Sequence, residues 1–375
     1  MTNPFRFGTI VSGDYFYDRE EELIRLKQIL SGGNNVALYA PRRYGKSSLV
    51  KKALAELQEE GYVTVYLDFM SVYSRETFIK NYAAVLADSE PGSLEKTVKK
   101  IAKLISGIVP SVSFDSSGMP SFSFSWIEGK DKEQTLTEVI DLPQQLASDK
   151  QKWIVAFDEF QEVTKLNGEN FEKLLRSSIQ HHDKVSYLFF GSRTHLLKDM
   201  FNSKGRAFYH SASIMGMGKI EEAKSIQYLK NRFDSSGITA NDKVTKSILT
   251  HAENIPYFIQ FIASELWQTA VLNKKQKIEP EDVNRAVDQI LLLKSDYYWE
   301  LIMKQTPYRK KVLHTLCYIN EELLAKETAK KYDLGAASTT QKALDSFVED
   351  GLIERTGTKY EFSDPFFRRF VLQNI

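Results

Sequence analysis

Short apolar runs alternate with helical patterns through the first half of the chain. Four runs of five to seven largely apolar residues have the length and flanks of buried strands; they cover 36–40, 62–68, 152–158 and 185–191. Between them, apolar residues recur at helical spacing, from Leu49 to Leu57, over about 74–106 and over 169–179. Strands that alternate with helices predict an α/β fold with a mostly parallel sheet.

One stretch, about residues 108–127, interrupts this alternation. Apolar residues alternate with serines on both sides of Asp115-Ser116-Ser117-Gly118, as in two strands joined by a tight turn; they are Val112, Phe114, Phe122, Phe124 and Trp126. The pattern predicts a hairpin inserted between the second and third strands. Two interpretations stay open: an edge hairpin with one apolar face packed down, or an arm that docks on a partner.

Beyond about residue 216 the strand pattern stops and helical spacing continues to about 300, which predicts a helical subdomain. Three further helical segments follow, over 308–318, 325–332 and 337–350. Two short strands around a glycine turn then cover 351–362. That order is typical of a winged helix-turn-helix. We therefore expect three domains, an α/β core over 1–215, a helical lid over 216–302 and a winged helix over 303–375.

Composition narrows the classes of function. The chain has 375 residues and a net charge of +1. This charge excludes a globally basic protein that coats nucleic acid, but it does not exclude a local basic patch. Cys317 is the one cysteine, so an intrachain disulfide and a cysteine-based zinc site are excluded. No apolar stretch approaches the roughly 20 residues that a membrane helix needs, and the first residues lack the apolar region of a signal peptide. We expect a cytoplasmic protein with no membrane contact.

The segment from Ala40 to Ser47 carries the most informative motif. It fits the phosphate-binding template G-x-x-x-x-G-K-[ST], except that Ala40 replaces the first glycine. The preceding strand and following helix would aim backbone N–H groups and a helix N-terminus at an anion. Gly45 permits close approach of the phosphates, Lys46 supplies a cation for their terminal oxygens, and Ser47 offers a hydroxyl to Mg²⁺.

Two carboxylates, Asp158 and Glu159, follow the strand 152–158, as in a Walker B motif. We expect Asp158 to hold Mg²⁺ and Glu159 to polarise the attacking water. Ser192, after the next strand, is a candidate sensor of the water or γ-phosphate, with a simple strand-end cap as the alternative. Arg206 is a candidate for stabilising transition-state charge, in cis or across a subunit interface, and a solvated loop arginine is the alternative.

Together these residues resemble the archaeal/bacterial ATPase family of the STAND class within the AAA+ superfamily, over nearly the whole chain. Three further segments resemble family motifs: the N-terminal box around Arg19, a lid motif ending in Pro256, and the D-P-F-x-R ending that starts at Asp364. The sequence departs from the family pattern at Ala40 and at Asn254, where the family has glycine. Asn254 still permits a left-handed backbone.

The resemblance implies an AAA+ fold. It also implies that ATP and Mg²⁺ bind between the α/β core and the helical lid. It implies nucleotide contacts from Arg19, Pro41, Arg42, Arg43, Tyr44, Gly45, Lys46, Ser47, Ser48 and Pro256. It also implies a conformational switch driven by hydrolysis, in signalling or defence, whose output is self-association or a protein partner. For Pro256, the first turn of a helix over 257–272 is a compatible structural role.

A winged helix also suggests DNA binding, but the charges predicted for this winged helix argue against DNA as its partner. The candidate recognition helix, 337–350, holds one basic residue and three acidic ones, so it would repel phosphates along its later turns. Over 301–375 there are 12 Lys and Arg against 10 Asp and Glu. A DNA-binding regulator or remodelling helper, in which ATP only sets the conformation, remains the alternative to an ATPase switch.

Overall fold

The computed structural model describes residues 2–11, 13–90, 94–114, 120–127, 129–166 and 169–375. The chain forms two compact units. The core unit comprises residues 19–40 and 46–217, and the unit that we call the lid–wing unit comprises 1–18, 41–45 and 218–375. In the described part of the chain, no helix is long and apolar enough to cross a membrane.

The core unit alternates strands with helices, as predicted. Its helices are α1 (Glu20–Ser31), α2 (Lys46–Glu59), α3 (Arg75–Ser89), α4 (Leu94–Leu104), α5 (Lys132–Leu146), α6 (Glu169–Ile179) and α7 (Thr194–Asn202). Its strands are β1 (Val36–Tyr39), β2 (Val63–Asp68), β3 (Ile108–Phe114), β4 (Pro120–Trp126), β5 (Trp153–Asp158), β6 (Val185–Gly191) and β7 (Ser213–Gly216).

Five parallel strands form the central sheet, in the order β2-β5-β6-β1-β7. Strands β5 and β6 are buried along their whole length, which explains their continuous apolar runs. The register places Asp68 beside Asp158 and Tyr39 beside Gly191, so these strands end at one edge of the sheet. Open α/β sheets bind their ligands at that edge.

The segment over about 74–106 is helical, as predicted. It forms two helices, α3 and α4, and the sequence Pro91-Gly92 between them disfavours a continuous helix. Strand β7 was not predicted, because it is short, lies at the edge of the sheet and has only one buried residue, so no apolar run marks it.

The inserted hairpin forms, as a separate two-stranded sheet rather than at an edge of the central sheet. Strands β3 and β4 pair antiparallel from Ile108 opposite Trp126 to Phe114 opposite Pro120. Ile108 and Phe124 are buried in the core cluster, which favours a packed hairpin over a free arm. The predicted turn at 115–118 lies outside the described residues.

The lid–wing unit holds the remaining elements. Its helices are α8 (Glu222–Ser235), α9 (Asp242–His251), α10 (Pro256–Leu272), α11 (Pro280–Leu293), α12 (Ser295–Met303), α13 (Pro307–Leu316), α14 (Lys326–Lys331), α15 (Ala337–Glu349) and α16 (Pro365–Asn374). Its strands are β8 (Thr239–Ala240), β9 (Lys277–Ile278), β10 (Ile353–Thr356) and β11 (Lys359–Phe362).

The winged-helix order is present: α13, α14 and α15 precede the antiparallel pair β10–β11. The expectation that strands stop after 216 is wrong in one detail, because β8 and β9 form a parallel pair of two residues each, too short for a periodic signal. Helix α16 was also not predicted. The structure groups 1–18 and 41–45 with the lid and the winged helix, and the three-domain division of the sequence analysis stays a prediction.

Candidate active site

Helix α2 begins at Lys46, at the end of the loop that follows β1. Gly45 and Arg43 have φ angles of 87° and 72°, in the left-handed region that glycine adopts at little cost. Lys46 is 6% exposed, Ser48 is buried and Ser47 is half-buried. Because the first N–H groups of a helix have no intrahelical acceptor, this helix start is suited to an anion.

Asp158 ends β5 within the core. Its Oδ1 accepts the backbone N–H of Glu159 at 2.8 Å, and its Oδ2 accepts the hydroxyl of Tyr66. Burial raises the pKa of Asp158, against the opposing effects of Tyr66 and Lys46. Tyr66 was not anticipated from the sequence; its one signal is that it lies two residues before the end of β2, the strand that pairs with β5.

Glu159 has a φ of 47°, an unusual value for a residue other than glycine. Its Oε2 accepts the Oγ–H of Ser192 at 3.0 Å, the N–H of Ser192 at 3.1 Å and Nε2 of Gln161. Its Oε1 lies 4.0 Å from Lys46 Nζ. Burial favours a higher pKa for Glu159, but the charge of Lys46 and these hydrogen bonds outweigh it and hold the pKa below its ordinary value.

The structure thus brings together Lys46, Asp158, Glu159 and Ser192, four of the five predicted catalytic residues. Their donor set fits a magnesium nucleotide, since carboxylate and hydroxyl oxygens suit Mg²⁺ and a buried ammonium suits phosphate. The predicted metal ligands are the Ser47 hydroxyl and the Asp158 carboxylate. Sequence reasoning missed Gln161, although it lies two residues after Glu159.

Three other predicted residues make different contacts. Arg206 donates to the buried Glu172 at 2.9 Å and lies 3.6 Å from Asp199, so a structural ion pair accounts for its position in the core. Arg19 is buried at the start of α1 and pairs with Glu22 at 2.6 Å. Pro256 opens α10 in the lid–wing unit. Their proposed roles toward a nucleotide stay predictions.

Loop residues 41–45 belong to the lid–wing unit and contact both of its parts. The Arg42 N–H donates to Glu354 Oε1 at 3.1 Å, and the Arg43 guanidinium lies 3.3 Å from Asp364 Oδ2. The Arg43 carbonyl accepts the N–H of Tyr257 at 3.3 Å. Loop residues 41–45 are therefore connected to α10 and to the winged helix within this unit.

Arg43 makes two further kinds of contact in the same unit. Its guanidinium lies over the rings of Tyr257 and Phe258, 5.1 and 4.8 Å from their centroids, within cation–π range. It also donates to the Ser363 carbonyl at 3.3 Å. Because planar Arg can stack and donate at once, lysine would not replace it here.

Asp364 is the centre of these winged-helix contacts. Its Oδ1 caps α16 by accepting the N–H groups of Phe366 and Phe367, and its Oδ2 accepts from Lys294 at 2.8 Å and from the Tyr298 hydroxyl at 3.1 Å. We expect Asp364→Ala to lower the free energy of unfolding by about 3 kcal/mol, because it removes a cap and leaves the Lys294 and Arg43 charges without this partner.

Urea unfolding measures this loss. Asp345→Ala, at an exposed position of α15, is the matched control and is expected to change stability by less than about 0.5 kcal/mol. Equal stability of Asp364→Ala and wild type would mean that the Asp364 contacts contribute nothing to the fold.

Comparison with known families agrees with this architecture. Residues 16–190 match the family described as an ATPase domain predominantly from Archaea, and residues 296–373 match a probable winged helix domain. The chain is therefore similar to that ATPase domain over 16–190 and to a winged helix domain over 296–373. No curated protein matches the sequence.

Solved structures share the fold over nearly the whole chain. The Walker-type ATPase PABY2304 of Pyrococcus abyssi is 18% identical, with 99% of each chain covered and a TM-score of 0.67. The ORC2 protein of Aeropyrum pernix, solved as ADPNP–ADP complexes, is 12% identical, with 98% of this chain and 96% of that chain covered and a TM-score of 0.58.

The ORC1 protein of Aeropyrum pernix, solved in complex with DNA, is 14% identical, with 96% of this chain and 93% of that chain covered and a TM-score of 0.51. At these identities the likenesses show the fold. It is a parallel-sheet P-loop α/β core with many helices and a C-terminal winged helix, as the sequence predicts, and it is consistent with an AAA+-like fold.

Proposed function

We propose that this protein hydrolyses ATP, with Mg²⁺, at the site formed around Lys46, Asp158 and Glu159. The observation that carries the proposal is the set of contacts around the Glu159 carboxylate. Oε2 accepts three hydrogen bonds, and Oε1 lies on the side of Lys46. Such an arrangement holds a carboxylate ionised and oriented, which a water-activating base requires. The nucleotide phosphates would bind the start of α2 and Lys46.

In the proposed reaction, the water oxygen bonds to the γ-phosphorus while its proton passes to Glu159 Oε1. The bond from the γ-phosphorus to the bridging oxygen breaks, and ADP leaves with that oxygen. Ser47 and Asp158 would hold Mg²⁺, which would supply positive charge against the charge that develops on the phosphates. Ser192 keeps Glu159 in place, and Lys46 stabilises the terminal oxygens.

We further propose that the ATPase is a conformational switch of the STAND type, acting in the cytoplasm through self-association or a protein partner. The support is the contacts of loop residues 41–45 with α10 and the winged helix. A phosphate bound at this loop would compete with Glu354 and Asp364 for the N–H of Arg42 and the charge of Arg43. A ligand shifts a conformational equilibrium by this kind of differential contact.

Two measurements on purified protein test these proposals. Phosphate release from Mg²⁺-ATP tests hydrolysis, and sizing in ADP and in a non-hydrolysable ATP analogue tests the switch. We expect slow turnover that EDTA abolishes, and different elution in the two nucleotides. Absent turnover would reject the hydrolase, and identical elution would reject self-association as the output.

DNA binding is the second candidate, favoured by the winged helix domain and by the fold shared with a protein solved in complex with DNA. The charges in the winged helix weigh against it. Lys311 pairs with Asp333, and Arg309 pairs with Asp350 at 2.9 Å, so acidic neighbours offset these bases. Duplex binding that falls steeply between low and physiological salt would favour DNA as the partner.

A further inference from the structure

Gln161 is a buried glutamine beside the proposed general base. It lies in the 3-10 helix Phe160–Lys165, which follows Glu159 directly, and it is 2% exposed. Its Nε2 donates to Glu159 Oε2, the same oxygen that accepts both donors of Ser192. Two segments of the core, one after β5 and one after β6, therefore hold one carboxylate oxygen.

This arrangement distinguishes the two oxygens of Glu159. Each carboxylate oxygen has about two lone-pair directions, so three donors on Oε2 fill its capacity. Oε1, on the side of Lys46, is left as the oxygen available to a water molecule. The left-handed backbone of Glu159 adds to the need for a fixed side chain, because such a conformation persists only where its surroundings enforce it.

The other end of the Gln161 amide has no hydrogen-bond partner among the described residues. Gln161 Oε1 is buried against Gly191, where an added Cβ would overlap it. Leaving a buried acceptor without a partner is unfavourable, so packing alone favours methionine or leucine at this position. The amide therefore carries an energetic cost, and the hydrogen bond that it makes among the described residues goes to Glu159.

We propose that Gln161 is a positioning residue for ATP hydrolysis: it fixes Glu159 Oε2 so that Oε1 faces the attacking water. Gly191 is part of the same arrangement, because it is the residue that leaves room for the glutamine amide. The proposal rests on the proposed function and adds a residue that acts through Glu159, without contacting the nucleotide.

The test uses full-length protein with Mg²⁺-ATP and the variants Gln161→Met and Gln161→Glu. Methionine keeps the size and removes the donor, and glutamate replaces the donor by an acceptor that repels Glu159. We expect kcat to fall about 10- to 100-fold with methionine and further with glutamate, while the KM and the affinity for ATP stay within about twofold. A merely structural glutamine would leave the kcat of the folded Gln161→Met variant near that of wild type, or would change ATP binding and stability together.

Gln260→Met is the matched control. Gln260 is also a buried glutamine whose Oε1 has no partner in the described part of the chain, but its Nε2 donates to Tyr228 rather than to Glu159. We expect its kcat to equal that of wild type. If Gln161→Met does not fold, Gln161→Glu and Gly191→Ala provide the test. The added Cβ of Gly191→Ala would displace the glutamine amide. Gly218→Ala is its control, because an added Cβ at Gly218 has open space around it.

A double-mutant comparison separates this inference from the proposed function. In a Glu159→Gln background, Gln161→Met is expected to cause no further loss of kcat, because residues that act as one unit are not additive. Independent, multiplicative losses would overturn the positioning role. If wild type turns over, Glu159→Gln does not, and Gln161→Met matches wild type, this inference alone fails; if wild type shows no turnover, the proposed function fails.

Discussion

Lys46→Ala is expected to weaken ATP binding by about 100-fold in a protein that stays folded. A hydrogen bond to a charged group contributes about 1.5–3 kcal/mol, and about 1.4 kcal/mol corresponds to a tenfold change in affinity. Lys46 is buried at the start of α2 and lies 4.0 Å from Glu159, so its removal also deprives Glu159 of a stabilising positive charge. Calorimetric titration with ATP measures the effect.

Lys52→Ala, on the same helix α2, is the matched control and is expected to bind ATP as wild type does. Thermal unfolding of both variants checks that the loss is local. An unchanged ATP affinity of folded Lys46→Ala would mean that the start of α2 is not the phosphate site.

Glu159→Gln is expected to keep ATP binding and to lower turnover by about 10²- to 10⁴-fold, the usual contribution of a general base. The amide has the same size but does not take up the proton of the attacking water. Its carbonyl oxygen can take the place of Oε2 and accept from Ser192 and Gln161, which leaves the amide nitrogen at the position of Oε1. Phosphate release at saturating ATP measures kcat.

Glu162→Gln provides the control for charge. Glu162 is a buried carboxylate three residues further on, paired with Lys165, and we expect its variant to turn over normally. Turnover of Glu159→Gln within twofold of wild type would reject Glu159 as the base.

The sequence predicts the parts of the site that lie on strong local patterns. Strands β1, β5 and β6 are apolar runs because they are buried in the sheet, and the residues at their ends follow from parallel topology. Lys46, Asp158, Glu159 and Ser192 were predicted in this way, and their roles stay predictions. Edge strand β7 and the pair β8–β9 were missed, since a short or half-exposed strand leaves no period to detect.

The sequence does not predict contacts between residues that lie far apart along the chain. Tyr66 meets Asp158 across two strands, and Glu354 and Asp364 meet Arg42 and Arg43 from more than 300 positions away. No local spacing relates these residues. Asp364 was noted as part of a motif, but its partners come only from the fold.

Hydrogen exchange measured with and without Mg²⁺-ATP tests the coupling between nucleotide and lid most directly. The N–H of Tyr257 donates to the carbonyl of Arg43 in the phosphate loop, so its exchange reports on that loop. We predict that ATP slows exchange over 250–262 at the concentrations that protect 41–50, and that Pro256→Ala weakens this protection. Exchange rates over 250–262 that do not change with ATP, while 41–50 is protected, would contradict the switch. The protein would then have a nucleotide site that is not coupled to the lid.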